Sequence, residues 1–145
     1  ANEIRPAIHT EGVQVTINEI WKEGMAASIR NGINTLQEIN PDCDAAILMM
    51  CDQPYVTAAL LNRLMDTHRK TRKPIVTSSF DRTTGPPTLF HQRIFPELLQ
   101  LTGDKGARLV VETHAGNVVT VPFARGAIDI DTTSDYDQLT RNPSQ

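Results

Sequence analysis

A continuous apolar run at residues 45–51 ends abruptly in Asp52, Gln53 and Pro54. A strand that is apolar on both faces is typical of a parallel sheet covered by helices on each side. The flanking segments change between helical and strand periodicity, as in chains that alternate strands and helices. The run therefore predicts an α/β fold in which a three-layer, mostly parallel Rossmann-like sheet buries this strand.

Apolar spacing places the remaining elements along the chain. The predicted helices are Glu23–Ile39, one that begins after a cap at Thr57, Arg93–Leu101 and Asp104–Thr113. The other predicted strands are Val13–Ile17, Pro74–Phe80, Thr88–Phe90 and Asn117–Val121, with a loop at Thr83–Pro87. Because no repeat or linker divides the sequence, we expect residues 1–145 to form a single domain.

Charge and cysteine usage exclude several classes of function. The net charge is −3, and the one basic cluster, residues 69–73, is typical of a helix end, so general nucleic-acid binding is not expected. His9, His68, His91 and His114 lack ligand spacing, which disfavours a zinc site, and we expect His68 to pack at a helix edge. Cys43 and Cys51 are too far apart on a strand for a disulfide. With no apolar run near the ~20 residues that a bilayer needs, we expect a cytoplasmic protein without membrane contact.

Asp52 is the strongest chemical signal in the sequence. It follows the most apolar strand, and ligands of open parallel sheets bind at the carboxyl ends of the strands. Mg²⁺ takes one or two protein carboxylates and completes its shell with phosphates and water. Asp52 is therefore a candidate ligand for a magnesium nucleotide. The alternative is an aspartate that only shapes the turn.

Asp129 and Asp131 form a second acidic pair, in the segment Ile128 to Thr132. Alternation along an extended chain points both carboxylates to the same side, where they could complete the metal site. The alternative is a solvent-facing segment that leads into a helix capped by Thr132 or Thr133.

Three glycine-containing segments are further candidates for anion binding. These segments are residues 21–30, 85–87 and 103–108, and two of them place glycine near the start of a predicted helix. Lys105 and Arg108 in the third segment could contact phosphate. The alternative for each segment is a glycine that serves backbone conformation only.

Taken in order, these segments resemble the molybdenum cofactor cytidylyltransferase group of nucleoside-triphosphate transferases, which have the nucleotide-diphospho-sugar transferase fold. The matching motifs are Asn18, Trp21, Gly24, Met25 and Ser28; Asp52, Gln53 and Pro54; Gly85, Pro87 and Phe90; Gly103, Asp104, Gly106, Ala107 and Arg108; and Asp129, Ile130, Asp131 and Thr132. Thr133 and Ser134 stand where the family has Pro-Glu before the final aspartate, Asp135. The resemblance implies a sheet with one antiparallel strand.

The resemblance also implies a function and a set of site residues. It implies transfer of CMP from CTP to molybdopterin or the molybdenum cofactor, with release of pyrophosphate. Asp52 and Asp129 are the implied catalytic residues, and Asp52, Asp129 and Asp131 are the implied ligands of Mg²⁺. The implied substrate-binding residues are Gln53, Pro54, Gly24, Met25, Ser28, Gly85, Pro87, Asp104, Lys105 and Arg108.

One part of the family pattern is not found in the sequence. Family members open with a strand and a glycine-rich loop that holds the triphosphate, so the resemblance implies an N-terminally truncated fragment, which is inactive if catalysis requires that loop. Such a fragment would self-associate through exposed strand edges or rearrange locally. The alternatives are guanylyl or other nucleotidyl transfer to another small metabolite, and a non-catalytic module that binds the molybdenum cofactor for a molybdoenzyme partner.

Overall fold

The computed structural model describes residues 12–130 and 132–141, and the elements within them alternate between helix and strand. In chain order the elements are α1 (Met25–Ile39), β1 (Ala45–Leu48), α2 (Ala58–Thr71), β2 (Ile75–Phe80), β3 (Thr83–His91), α3 (Phe95–Leu98), α4 (Arg108–Thr113), β4 (Val118–Pro122) and α5 (Thr133–Arg141). Short 3-10 turns lie at Trp21–Glu23, Gln92–Ile94 and Ala115–Asn117. None of the described helices is long and apolar enough to span a bilayer.

Two compact units are distinguished by their internal contacts. The first comprises residues 12–43 and 95–110, and the second comprises residues 44–94, 111–130 and 132–141. The first contains α1 and α3. The second contains the whole sheet together with α2 and α5.

The four strands of the second unit form one sheet in the order β1-β3-β2-β4. β3 pairs antiparallel with β1 on one side and with β2 on the other, whereas β2 and β4 pair in parallel. β1, β2 and β4 therefore run in one direction and β3 runs against them. This arrangement confirms the expected mostly parallel sheet with one antiparallel strand.

Helix α2 covers part of this sheet and encloses the core of the second unit. The buried cluster consists of Leu60, Leu64, Val76, Leu89, Val121 and Phe123. The side chain of Thr57 accepts a hydrogen bond from the amide of Leu60 at 3.3 Å, which confirms the predicted cap. Arg72 ends the helix in a left-handed conformation, and His68, Arg69 and Lys70 occupy its last turn, as the basic cluster indicates.

β1 differs from its prediction in length and in burial. It ends at Leu48 rather than at residue 51, and all four of its residues are only partly buried. The reason is its position, because β1 is an edge strand of the described sheet and pairs only with β3. An apolar run predicts burial on two faces, but a sheet edge leaves part of the strand uncovered.

The predicted loop at Thr83–Pro87 is wrong, because these residues belong to β3. Asp81 and Arg82 both have positive φ angles and connect β2 to β3 as a two-residue hairpin. Farther along, Thr77 pairs with Thr88 and Ser78 with Gly85, so Pro86 and Pro87 bulge out of the ladder. Proline has no N–H to donate, and a bulge is where a sheet tolerates it.

The predicted strand Val13–Ile17 is also wrong. Val13, Val15 and Ile17 are exposed by 48%, 41% and 50%, and the described sheet does not include this segment. Alternating β-branched residues favour an extended backbone, but a strand also requires a neighbour that completes its hydrogen bonds.

Two predicted helices are shorter than expected. Arg93–Leu101 resolves into the 3-10 turn at Gln92–Ile94 followed by the single turn of α3, and the helix predicted from Asp104 begins only at Arg108. Gly103 and Gly106 have φ angles of +68° and +58°, a left-handed conformation that a right-handed helix cannot contain.

Candidate functional site

The carboxyl ends of β1, β2 and β4 meet at one edge of the sheet, which we call the carboxyl edge. Asp52 lies in the loop that follows β1, and residues 123–130 follow β4. The amide of Ile130 donates a hydrogen bond to the backbone carbonyl of Asp52 at 2.8 Å. The structure thereby joins the segment that holds Asp129 to the loop that holds Asp52, although 77 positions separate these two aspartates. Asp131 lies outside the described residues.

Asp52 carries the clearest sign of a ligand at this edge. Its Oδ1 atom is buried and has no hydrogen-bond partner among the residues that the structure describes. A buried acceptor left in this state costs free energy, more so when it is charged, and a bound cation removes that cost. The carboxylate thus fits a hard divalent ion. Within residues 12–130 and 132–141 no three acidic, histidine or cysteine side chains cluster around a common point.

Gln53 forms hydrogen bonds that join the loop of Asp52 to two segments far away in the sequence. Its Nε2 donates to the carbonyls of Pro86 and Gly126, both at 3.2 Å, and the residue is only 9% exposed. Its Oε1 is buried and accepts no hydrogen bond from the described part of the chain. Both amide hydrogens therefore have backbone acceptors, and Oε1 is the side-chain atom that remains able to accept a further hydrogen bond.

Hydroxyl groups satisfy the backbone of the proline bulge in β3. Thr77 Oγ1 donates to the carbonyl of Gly85 at 3.0 Å, and Ser78 Oγ donates to that of Pro87 at 2.8 Å. Thr77 and Ser78 are completely buried. The predicted site residues Gly85 and Pro87 are therefore rigidly placed beside the Pro86 carbonyl that Gln53 binds.

The first unit brings a different set of predicted residues together. Asn18 Nδ2 donates to Ser28 Oγ at 3.0 Å, and the amide of Ala26 donates to the carbonyl of Gly103 at 3.1 Å. Gly24, with φ at +96°, caps α1 so closely to Gly103 and Asp104 that a Cβ there would collide with both. The two glycine motifs of this unit thus form one packed element.

Basic side chains of the first unit have distinct roles. Arg30 donates to the carbonyl of Leu101 at 2.6 Å and forms an ion pair with Glu23 at 2.8 Å, so it supports the loop that follows α3. Met25 packs against Gly106, where a Cβ would meet the Met25 sulfur. Lys105 and Arg108 are exposed. Their contact with phosphate stays a prediction.

These motifs correspond to a known protein family. The model of the MobA-like NTP transferase domain matches residues 1–118. The chain belongs to this family. Its family and its fold agree with the resemblance drawn from the sequence.

Known relatives of this MobA-like domain include one curated protein and several solved structures. The purine catabolism protein PucB of Bacillus subtilis (strain 168) is 28% identical over 123 residues, which are 83% of this chain and 58% of that protein. The chain thus spans somewhat more than half of this relative's length.

Solved structures agree on the fold. Rv0371c of Mycobacterium tuberculosis H37Rv is 30% identical with a TM-score of 0.71, covering 97% of this chain and 70% of that one. Its complex with manganese is 27% identical with a TM-score of 0.74, covering 97% and 73%. The molybdopterin-guanine dinucleotide biosynthesis protein A of Archaeoglobus fulgidus shares the fold at a TM-score of 0.69 and 16% identity, covering 99% and 74%.

Two features at the carboxyl edge of this MobA-like domain, one contact and one cavity, were not predicted from the sequence. The guanidinium of Arg125 lies 4.6 Å from the centre of the Tyr55 ring. An open cavity of about 620 Å³ lies along the β2–β3 hairpin and is lined by Ser79, Phe80, Asp81, Arg82, Thr83 and Thr84. Neither feature belongs to a motif, and the hairpin lacks the Asn-Gly or Asp-Gly pair that commonly marks such a turn.

His91 titrates at the opposite edge of the sheet, where β3 ends beside the start of β1. Burial lowers the pKa of His91, and the positive charges of His68 and Arg93 lower it further against the opposing effect of Asp44. His68 accepts from or donates to the carbonyl of Lys73 through Nδ1 at 2.7 Å, at the packed helix edge where it was expected. The centres of the His68 and His91 rings lie 5.4 Å apart, near the amino end of β1.

Proposed function

We propose that this chain is part of a nucleotidyltransferase that transfers CMP from CTP to the terminal phosphate of molybdopterin or the molybdenum cofactor. The observation that carries the proposal is the buried Oδ1 of Asp52 at the carboxyl edge of the sheet, which has no hydrogen-bond partner within residues 12–130 and 132–141. Membership of the MobA-like NTP transferase family supports the reaction class. The manganese complex of the related Rv0371c supports a divalent cation.

Asp52 and Asp129 are the proposed metal ligands, with Asp131 as a third candidate. Asp52 lies half-buried, Asp129 is exposed, and the Ile130 amide holds their two segments together. Bound Mg²⁺ would neutralise charge on the phosphates and stabilise the negative charge that develops during transfer. A manganese ion would satisfy the same oxygen ligands.

Little covalent chemistry is required from the protein. A phosphate oxygen of the acceptor attacks the α-phosphorus of the nucleotide, the bond to the bridging α–β oxygen breaks, and pyrophosphate leaves with that electron pair. The acceptor oxygen is already an anion, so no general base or nucleophilic side chain is needed. Asp52 contributes by placing charge, and Gln53 contributes by holding the Asp52 loop in position.

The remaining predicted residues are proposed to bind substrate. Gly85 and Pro87 lie on the bulge beside Gln53, and Pro54 follows it in the same loop. In the first unit the proposed acceptor-side residues are Gly24, Met25, Ser28, Asp104, Lys105 and Arg108. The hairpin cavity adds space for part of a nucleotide or pterin at the end of β2.

The experiment that tests this proposal is calorimetric titration of Mg-CTP into the 145-residue chain and into Asp52→Asn. The wild-type chain is expected to bind Mg-CTP, and Asp52→Asn is expected to bind at least about tenfold more weakly, since a direct charge-assisted contact contributes about 1.5–3 kcal/mol. Asp66→Asn is the matched control, because Asp66 is exposed on α2 and forms an ion pair with Arg69 at 3.2 Å. Equal affinities for all three proteins would contradict the role of Asp52.

Competition and acceptor titrations separate the alternatives. Stronger binding of Mg-GTP than of Mg-CTP would replace cytidylyl with guanylyl transfer. Binding of molybdopterin by a chain that binds neither nucleotide would favour a non-catalytic cofactor-binding module, with a molybdoenzyme as its partner. Analytical ultracentrifugation of the same samples tests the expected self-association.

A further inference from the structure

Arg125 is an exposed cation held in place at the carboxyl edge. Its guanidinium lies 4.6 Å from the centre of the Tyr55 ring. No carboxylate in the described part of the chain forms an ion pair with it. The guanidinium lies over the Tyr55 ring and the Arg125 side chain remains exposed, so its N–H donors are accessible to a ligand.

The backbone around Arg125 is fixed relative to Asp52. Gln53 binds the carbonyl of Gly126, and the amides of Gly126 and Ile128 donate to the carbonyls of Phe123 and Arg125 at 2.9 and 3.2 Å. A Cβ on Gly126 would collide with the rings of Phe80 and Phe123, so the turn is packed against the end of the sheet. Tyr55 follows Asp52 by three positions in the loop that Gln53 anchors.

A nucleotide triphosphate bound with its metal at this edge would leave negative charge that a further cation would neutralise. A triphosphate carries about four negative charges and a divalent ion neutralises two, while Asp52 and Asp129 add negative charge of their own. Arginine binds phosphate oxygens through two parallel N–H donors and is worth most where its fork is already oriented. The contact with the Tyr55 ring restricts the positions that the Arg125 guanidinium can take.

We propose that Arg125, oriented by the Tyr55 ring, is a phosphate-binding residue of the carboxyl edge. This inference rests on the proposed function, and it adds a binding residue that no sequence motif identifies. Arg125 contacts the oxyanion directly, whereas Tyr55 acts as a positioning residue. Both the nucleotide and the acceptor carry such phosphates, so inorganic pyrophosphate is a suitable probe of the shared chemistry.

The test is calorimetric titration of pyrophosphate into the 145-residue chain, first without metal and then with Mn²⁺. Without metal, Arg125→Gln is expected to weaken binding at least about tenfold. Tyr55→Leu is expected to weaken it about two- to fivefold, and Tyr55→Phe, which keeps the ring, is expected to recover that loss. Arg93→Gln is the matched control, because Arg93 is exposed and lies near the opposite edge of the sheet. Circular dichroism of each variant verifies its fold.

The outcomes separate this inference from the proposed function. Equal pyrophosphate affinity in the wild type and Arg125→Gln, an equal loss in Arg93→Gln, or no pyrophosphate binding by the wild type overturns the role of Arg125. The metal part of the proposed function is judged separately, by whether Mn²⁺ strengthens pyrophosphate binding in the wild type and fails to do so in Asp52→Asn. A competition series with CTP and with a pterin phosphate then distinguishes the two natural sources of phosphate.

Discussion

Replacing Gln53 by leucine removes two hydrogen bonds that join the Asp52 loop to β3 and to the segment after β4. The carbonyls of Pro86 and Gly126 lose their side-chain donor, and each buried acceptor left unpaired costs about 1–3 kcal/mol. Leucine also removes the buried Oε1, which has no hydrogen-bond partner among the described residues. Its removal recovers about 1–3 kcal/mol of unfolding free energy. The expected net loss of unfolding free energy is about 1–3 kcal/mol.

Urea unfolding at pH 7, followed by circular dichroism, measures this loss. Gln53→Glu is expected to cost more, about 3 kcal/mol or above, because it places a carboxylate against two carbonyl oxygens. Burial raises the pKa of the introduced carboxyl above its unfolded value of about 4.3, so this variant recovers stability as the pH falls toward that value.

Gln92→Leu is the control for Gln53→Leu, because Gln92 is exposed in the same unit and its substitution is expected to change stability by less than about 0.5 kcal/mol. A Gln53→Leu variant as stable as the wild type would refute the anchoring role. A Gln53→Glu variant no less stable than Gln53→Leu would refute the assignment of Nε2 as the donor to both carbonyls.

Two further predictions concern α1 and the histidine pair. Gly24→Ala is expected to lose at least about 1–2 kcal/mol in urea unfolding, since its φ is +96° and its Cβ would strike Asp104; Gly32→Ala, with open space around it, is expected to gain about 1 kcal/mol. Equal effects at both glycines would contradict this account. The lowered pKa of His91 means that the unfolded chain takes up a proton near pH 6.5 where the folded chain does not, so stability falls as the pH drops below about 6.5. His91→Asn is expected to reduce the change in unfolding free energy between pH 7.5 and 5.5. An unchanged pH dependence would exclude His91 as the group responsible for it.

Helices and their caps could be predicted from the sequence where all the residues that form them lie in one short segment. Ile33 of α1 is buried as helical periodicity predicts, although Met25 and Ile39 of the same predicted stripe are exposed, and Thr57 caps α2. The capping of α5 is a second example: the amide of Asp135 donates to Thr132 Oγ1 at 3.2 Å, and the amide of Thr132 donates to the Asp135 carboxylate at 2.8 Å. The contacts in these examples span only a few positions, so spacing alone is sufficient to predict them.

The strands of the sheet were harder to predict from the sequence than the helix caps, because strand pairing depends on residues far away along the chain. Val13–Ile17 has the composition of a strand but belongs to none in the described sheet. β3 contains two prolines, and its sequence predicts a loop. In the structure the hydroxyls of Thr77 and Ser78 donate hydrogen bonds to backbone carbonyls of the bulge that contains these prolines. Neither result is visible in the segment itself, since the deciding partner lies on another strand.

The sequence by itself determined the family of this chain and predicted candidate residues for a metal-nucleotide site, above all Asp52 at the end of an apolar run. Tertiary structure alone decided which of them meet. Gln53 reaches Pro86 and Gly126 across 33 and 73 positions, and Arg125 reaches Tyr55 across 70. Contacts over such separations arise because parallel strands bring their carboxyl ends to one edge, a consequence of strand order and register that local propensity does not contain.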